Sequence, residues 1–146
     1  MMDISSVDGA GPLAQAIATS ASGMRAQATR LRIVAENLAN ANATASSPGG
    51  DPYRRKVVTF EQVLDRSTGA ELVRPARIAR DPSPFRIEYD PSHPAANAQG
   101  YYKLPNVSDV LETADAREAQ RSYEANLSAL SEARTMITKT LDILKA

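Results

Sequence analysis

The sequence predicts a mainly α protein in which long N- and C-terminal helices pair as a coiled coil, with a small irregular β-rich insert between them. Three observations predict it. Apolar residues recur at every seventh position near the N-terminus, a one-sided apolar stripe runs through the C-terminal part, and eight of the nine prolines fall between residues 43 and 108. The chain accordingly divides into a flexible N-terminus (1–11), a first helix (12–42), a linker and β-rich insert (43–108) and a last helix (109–146).

The first helix opens at Gly11-Pro12, because proline at the first helical position gives up only a hydrogen bond that was unsatisfied anyway. Ala14, Ala21, Ala28 and Ala35 then form one heptad register and Ile17, Met24, Leu31 and Leu38 the other. Small and large residues alternating along such a seam favour the close approach of a partner helix. Gly23 inside the pattern costs about 1 kcal/mol relative to alanine, so something beyond local propensity must hold the helix there. Asn40 and Asn42 suit a helix end, and "ATASSPGG" supplies slack after it.

The last helix begins after "PNVSD", where Asn106 or Ser108 can cap and Asp109, Glu112, Asp115 and Glu118 favour the positive end of the helix dipole. Its stripe reads Leu127, Leu130, Ala133, Ile137, Leu141 and Leu144, continued upstream by Tyr123, Ala119 and Ala116. Lys139 and Lys145 suit the far end. Between the helices, proline density excludes another long helix. "YRRKVVTFEQVL" reads as a strand. "FRIEY" reads as a half-buried one with Phe85, Ile87 and Tyr89 on one face, bounded by the proline turns "RDPSPF" and "YDPSHP". No pattern assigns a conformation to residues 65–80.

Helices of some 30 and 36 residues would extend about 45 to 55 Å. Ordering a residue costs about 1–2 kcal/mol of backbone entropy, while a buried Leu or Ile returns about 1.5–3. With about one large apolar residue per turn, such a pair is marginal alone, and the missing burial points to other chains.

Composition excludes several functions. The 17 basic and 17 acidic residues balance, which gives no electrostatic reason to expect nucleic acid or an anionic membrane. The absence of cysteine removes disulfides, thiolate metal sites and cysteine nucleophiles. No apolar run approaches the roughly 20 residues of a membrane span, and the N-terminal residues do not read as a cleaved signal. His93, the single histidine, sits between prolines as a turn residue, and one histidine without cysteines makes a poor metal or catalytic site. "YRRK" (Tyr53 to Lys56) could bind phosphate, but reads better as a solvated or subunit-facing patch. No phosphate loop or nucleophile elbow is present. The residues predict no catalytic, cofactor-binding or metal site.

Several blocks resemble a known family. "SGMRAQATRLRIVAENLANANAT" resembles the shared signature of the axial proteins of the bacterial flagellum, whose core here is Asn37, Leu38, Ala39 and Asn40. Within that family, "DPYRRKVVTF", "YDPSHPAANAQGYYKLPNV" and "EAQRSYEANL" resemble the C-type proximal rod subunits of the basal body in order and spacing. The resemblance runs from about residue 20 to the C-terminus, apart from Asp65 to Arg80.

It implies a structural subunit of the proximal rod, without enzymatic activity or cofactor. Such subunits are exported by the flagellar type III apparatus without a cleaved signal and polymerise through their terminal helices into a torque-transmitting shaft in the periplasmic space. The implied partners are the chain itself, other proximal rod proteins, the rod-to-membrane-ring adaptor, distal rod subunits and the export apparatus. On the seams read above, Ile17, Met24, Leu31 and Leu38 would pair with Leu127, Leu130, Ile137 and Leu141. An export-gate element of the kind such substrates carry would fall on Leu13 and Ile17, without the phenylalanine it often contains. The competing readings are a dimeric helical adaptor or scaffold outside the flagellum and an enzyme acting on the cell wall.

Overall fold

The computed structural model describes residues 11–146, so that all of the expected flexible N-terminus except Gly11 lies outside the described residues. Two helices, α1 (Pro12–Ala39) and α2 (Asp109–Lys145), flank four strands: β1 (Lys56–Leu64), β2 (Glu71–Arg80), β3 (Arg86–Tyr89) and β4 (Tyr101–Leu104). The first turn of α1 closes with Gln15 N–H on Gly11 C=O at 3.1 Å. Its end comes three residues earlier than the expected Asn42. The Asn40 side chain donates to Glu36 C=O at 2.8 Å, and Ala41 N–H turns onto Leu38 C=O at 3.2 Å, so these groups close the helix at Ala39. At the start of α2, Ser108 takes the capping position: its carbonyl accepts Glu112 N–H at 2.9 Å, with Asp109 and Glu112 in the first turn.

The strands form two separate two-stranded sheets, β1 with β2 and β3 with β4. The second is antiparallel, in a register that pairs Arg86 with Leu104 and Tyr89 with Tyr101. Each of the first three strands stops at an aspartate. Asp65, Asp81 and Asp90 accept the backbone N–H of Ser67, Ser83 and Ser92 at 2.9, 2.8 and 2.9 Å, a side-chain turn that takes the backbone out of the ladder. Residues 65–80, for which the sequence supports no conformation, form the first of these turns and β2. The glycine of that turn, Gly69, has φ 70°, a conformation other residues rarely adopt.

One strand departs from expectation. β3 is not half-buried, because Ile87 and Tyr89 are 65% and 63% exposed. Among the described residues no further layer covers that face of the two-stranded sheet, so alternation in the sequence does not translate into burial.

The chain forms two compact units. Among the described residues, one holds 11–29, Phe60–Ala76 and Ala119–Ala146; the other holds Arg30–Thr59 and Arg77–Glu118. Among the described residues of the first, the buried apolar ones are all alanines: Ala26, Ala70, Ala119 and Ala133. The second buries Ile33, Val34, Ala41, Ala95, Leu104 and Val107, yet its largest fully buried side chains are Glu112, Asn37 and Pro105. A buried carboxylate and amide of that size must be satisfied internally.

Candidate assembly interface and its polar corner

The second unit is organised around Asn37, 1% exposed near the end of α1. Its amide Nδ2 donates to Lys56 C=O at 2.9 Å and to Glu112 Oε2 at 3.0 Å. Its Oδ1 accepts Tyr53 O–H at 2.8 Å and Lys56 N–H at 2.9 Å. Two donors and two acceptors exhaust what an asparagine side chain can offer. By taking both backbone groups of Lys56, the amide pairs with the first residue of β1 as a neighbouring strand would, and so fixes where the hairpin starts relative to α1.

Glu112, on α2, has no exposed surface. One oxygen takes the Asn37 amide and the other the Nε–H of Arg55. The same guanidinium reaches Asp81 at 3.3 Å and Asp115 at 3.4 Å, and Arg30 of α1 meets Asp115 at 3.1 Å. Arg30 to Asp115 and Asn37 to Glu112 set the two helix segments of this unit antiparallel. Burial alone would pull the Arg55 guanidinium down, but hydrogen bonding and charge from Glu112 and then Asp81 more than offset it and hold it above its ordinary value. The Tyr53 hydroxyl is pushed up, chiefly by burial and then by the carboxylates of Glu36 and Glu112. Ser83 N–H and hydroxyl, aided by Arg55, hold the Asp81 carboxyl below the usual range.

Asn106, the other candidate cap for α2, belongs to this network instead. Its Oδ1 accepts Arg55 N–H at 2.8 Å and its amide donates to Asp81 C=O and Ser83 C=O, each at 3.1 Å. The charges of "YRRK" are therefore engaged within the chain and do not form a freely solvated patch. Tyr53 and Arg55 are committed to the hub, Lys56 pairs with Glu36, and Arg54 lies 4.1 Å over the Phe85 ring. His93 occupies a turn, with its ring stacked 3.9 Å from that of Tyr102 and its Nδ1 accepting Ala95 N–H.

The first unit is joined differently. Gln15, Thr19 and Ser22 share a face of α1 and meet the backbone of the β1–β2 hairpin. Gln15 donates to Thr68 C=O at 2.9 Å, Thr19 to Glu71 C=O at 3.1 Å, and Ser22 Oγ accepts Val73 N–H at 3.0 Å. Gly23 explains itself here, since a Cβ at this position would stand 2.8 Å from the Asn126 side-chain amide on α2. A Cβ here would have to displace that side chain, and glycine leaves the space to it.

Of the seam residues expected from the heptads, Ile17, Met24, Leu31 and Leu38 are half-buried, as are Leu130 and Ile137. Leu127 and Leu141 are 46% and 49% exposed. Leu13, named with Ile17 as an export-gate candidate, is half-buried. In the signature, Asn37 and Asn40 carry the interactions above, Leu38 is half-buried and Ala39 exposed. Sequence reasoning missed Gln15, Thr19, Ser22, Arg55 and Glu112. For the first three a signal existed, because with Ala26, Ile33 and Asn37 they follow a spacing of three, four and seven on the side of α1 opposite the heptad seam. Among the described residues no cluster of three His, Asp or Glu could hold a metal ion, and no helix is long and apolar enough to cross a membrane.

Comparison with known proteins places this architecture. The family model described as "Flagella basal body rod protein" matches residues 17–45, and that described as "Flagellar basal body rod FlgEFG protein C-terminal" matches residues 98–143. The matches cover the hub asparagine at one end and α2 at the other, and define a protein of the flagellar basal-body rod class. The flagellar basal-body rod protein FlgC of Agrobacterium fabrum is 49% identical over 135 residues, covering 92% of this chain and 97% of the relative. The FlgC proteins of Salmonella typhimurium and Bacillus subtilis are 39% and 37% identical, covering 84% and 86% of this chain and 90% and 94% of their own lengths. The chain belongs to the FlgC family of flagellar basal-body rod proteins, a structural family and not an enzymatic one.

Proposed function

We propose that this basal-body rod subunit is exported through the flagellar type III apparatus without a cleaved signal and then polymerises through its terminal helices. α1 and α2 pair as a coiled coil and pack against neighbouring subunits through Ile17, Met24, Leu31, Leu38, Leu127, Leu130, Ile137 and Leu141. The carrying observation is the uncovered apolar surface of α2: Leu127, Met136, Leu141, Ile143 and Leu144 are 46%, 46%, 49%, 76% and 77% exposed. Burying such a side chain from full exposure returns about 1.5–3 kcal/mol, so covering the part of each that is still open returns a corresponding fraction, and a series of this kind along one helix suits a surface completed by other chains.

Family membership supports association with other rod and basal-body components. In this reading they are further copies, other proximal rod proteins, the rod-to-membrane-ring adaptor and distal rod subunits, met in the periplasmic space. Torque is carried by many buried contacts acting in parallel. Hydrogen exchange tests the mechanism: α1 and α2 should be weakly protected in the monomer and strongly protected in the polymer. Full protection in the monomer overturns it. Leu38→Asp or Ile137→Asp should permit export and block incorporation, and a fully motile double variant counts against the seam.

A further inference from the structure

In the first unit, the clasp of α1 onto the β1–β2 hairpin leaves a groove beside it. Ser22 and Arg25 of α1 form one wall, and Val63, Leu72, Val73 and Pro75 of the hairpin form the other, around a space of about 440 Å³. The hairpin wall is aliphatic and only half-buried at Val63, Leu72 and Val73. On the opposite wall Arg25 is exposed, and among the described residues no carboxylate pairs with it. Arg74 at the rim is already committed to Glu61. Arg25 is therefore the charge that this groove offers.

A path leads to the groove from the start of α1. Gln15, Thr19 and Ser22 turn one side of the helix to the hairpin, and Gly23 turns another to Asn126 of α2. By helix periodicity Ala14, Ala18 and Arg25 fall together on the remaining side. The two alanines are half-buried and small, so a chain running back from Gly11 meets no large side chain there before Arg25.

We propose that residues 1–10 of the same chain fold back along this side and fill the groove, with Ile4 on the hairpin wall and Asp3 at Arg25. Three features select this occupant. The stretch "MMDISSVDGA" holds Asp3 and Asp8, no Lys or Arg, and the apolar Met2, Ile4 and Val7, which suits an aliphatic wall facing a lone cation. In an extended chain neighbouring side chains point to opposite sides, so Asp3 and Ile4 address the two walls together. The reach also fits. From Gly11 to Arg25 the helix covers about 21 Å at 1.5 Å per residue, and the eight extended residues back from Gly11 to Asp3 span at most about 26–29 Å. Asp8, with a span of only about 10 Å from Gly11, falls short of Arg25, so the contact belongs to Asp3. The docking concerns the free chain and does not depend on the rod reading.

The chain has no cysteine, so a nitroxide on Ile4→Cys marks one site of the full-length protein. In NMR spectra of the monomer, the amide signals of Arg25, Leu72 and Val73 should be lost to the label more strongly than those of Leu13 and Ala16, which stand nearer to it along the chain. Arg25→Glu should remove that excess. Adding Asp3→Arg to Arg25→Glu should return it, and adding Asp8→Arg instead should not. Losses greatest in the first turn of α1 and falling steadily along the helix describe a segment without a preferred place and overturn the inference. An excess at Leu141 to Leu144 of α2, or one at the groove that survives Arg25→Glu, overturns it too. When spin-labelled chain is mixed with isotope-labelled, unmodified chain, no loss is expected in the latter. An equal loss there puts the segment on a neighbouring molecule and overturns docking within one chain.

Discussion

The two units of this chain solve the same packing problem with opposite chemistry. The second is closed by polar groups: Asn37, Arg55, Glu112, Asp81, Asp115 and Asn106 satisfy one another, and its large buried side chains are an amide and a carboxylate. The first is closed by small residues, with Gly23 admitting Asn126 and alanines at the buried positions, and it leaves the large apolar side chains of α2 uncovered. A hub of matched charges is complete within one chain, because each partner has a fixed place. An alanine interior returns little on burial, so the unit built on it gains most from contacts outside the chain.

Breaking the hub should have the largest effect. Glu112→Ala takes one partner from Arg55, which keeps Asp81 and Asp115, and leaves one donor of the buried Asn37 amide unmade; removing one partner of a buried ion pair costs at most about 3–5 kcal/mol. Urea unfolding of the isolated chain should show that loss, and a change below 1 kcal/mol would mean that the hub does not hold the second unit. Asn37→Ala removes four hydrogen bonds and should fall in the same range, since each buried group left unmade costs about 1–3 kcal/mol.

The matching disturbance of the first unit is smaller. Gly23→Ala improves helix propensity by about 1 kcal/mol, but its Cβ enters the space of Asn126, and overpacking of this kind costs about 1–3 kcal/mol. Net destabilisation is expected, with recovery in the Gly23→Ala, Asn126→Ala double variant. If Gly23→Ala alone raises the thermal midpoint, the close approach is not what fixes the glycine.

Acid acts on turn aspartates in both units. Asp81 is held low first by the Ser83 N–H and hydroxyl, while Asp65 and Asp90 are held low first by the hydroxyls and then the N–H groups of Ser67 and Ser92. A depressed carboxyl stabilises the fold above its unfolded value, near about 4, and that contribution is lost as pH falls through the folded value. Asp81→Asn should therefore lower stability at neutral pH and flatten the acid limb of a stability–pH curve, and an unchanged limb would remove Asp81 from the hub. The smallest effect is expected at the exposed sheet, where Ile87→Ser should alter monomer stability by no more than about 0.5 kcal/mol.

Both long helices were legible because their signals are local: Pro12 at one start, Ser108 before the other, and periodic apolar residues between the ends. The hub was not. Arg55 and Glu112 are 57 positions apart and Asn37 and Glu112 are 75 apart, so neither pairing leaves a periodic trace. Arg55 therefore read as a surface charge within "YRRK". The exposed β3 shows the converse, since alternation marks which residues share a face but cannot say whether another layer covers it. On α1 the sequence carries two stripes, and the apolar one drew attention from the polar one that meets the hairpin.

The three aspartate turns have a consequence for the order in which this chain acquires structure. Each is written in three consecutive residues and closes over two positions, as in Asp65 to Ser67, whereas the hub must bring together residues up to 85 positions apart, as in Arg30 to Asp115. Loop-closure entropy grows with that separation, and short-range contacts form on far faster timescales than long-range ones. On folding from an extended chain the corners are therefore expected to set first, strand end by strand end, and the clasp of α1 to α2 last.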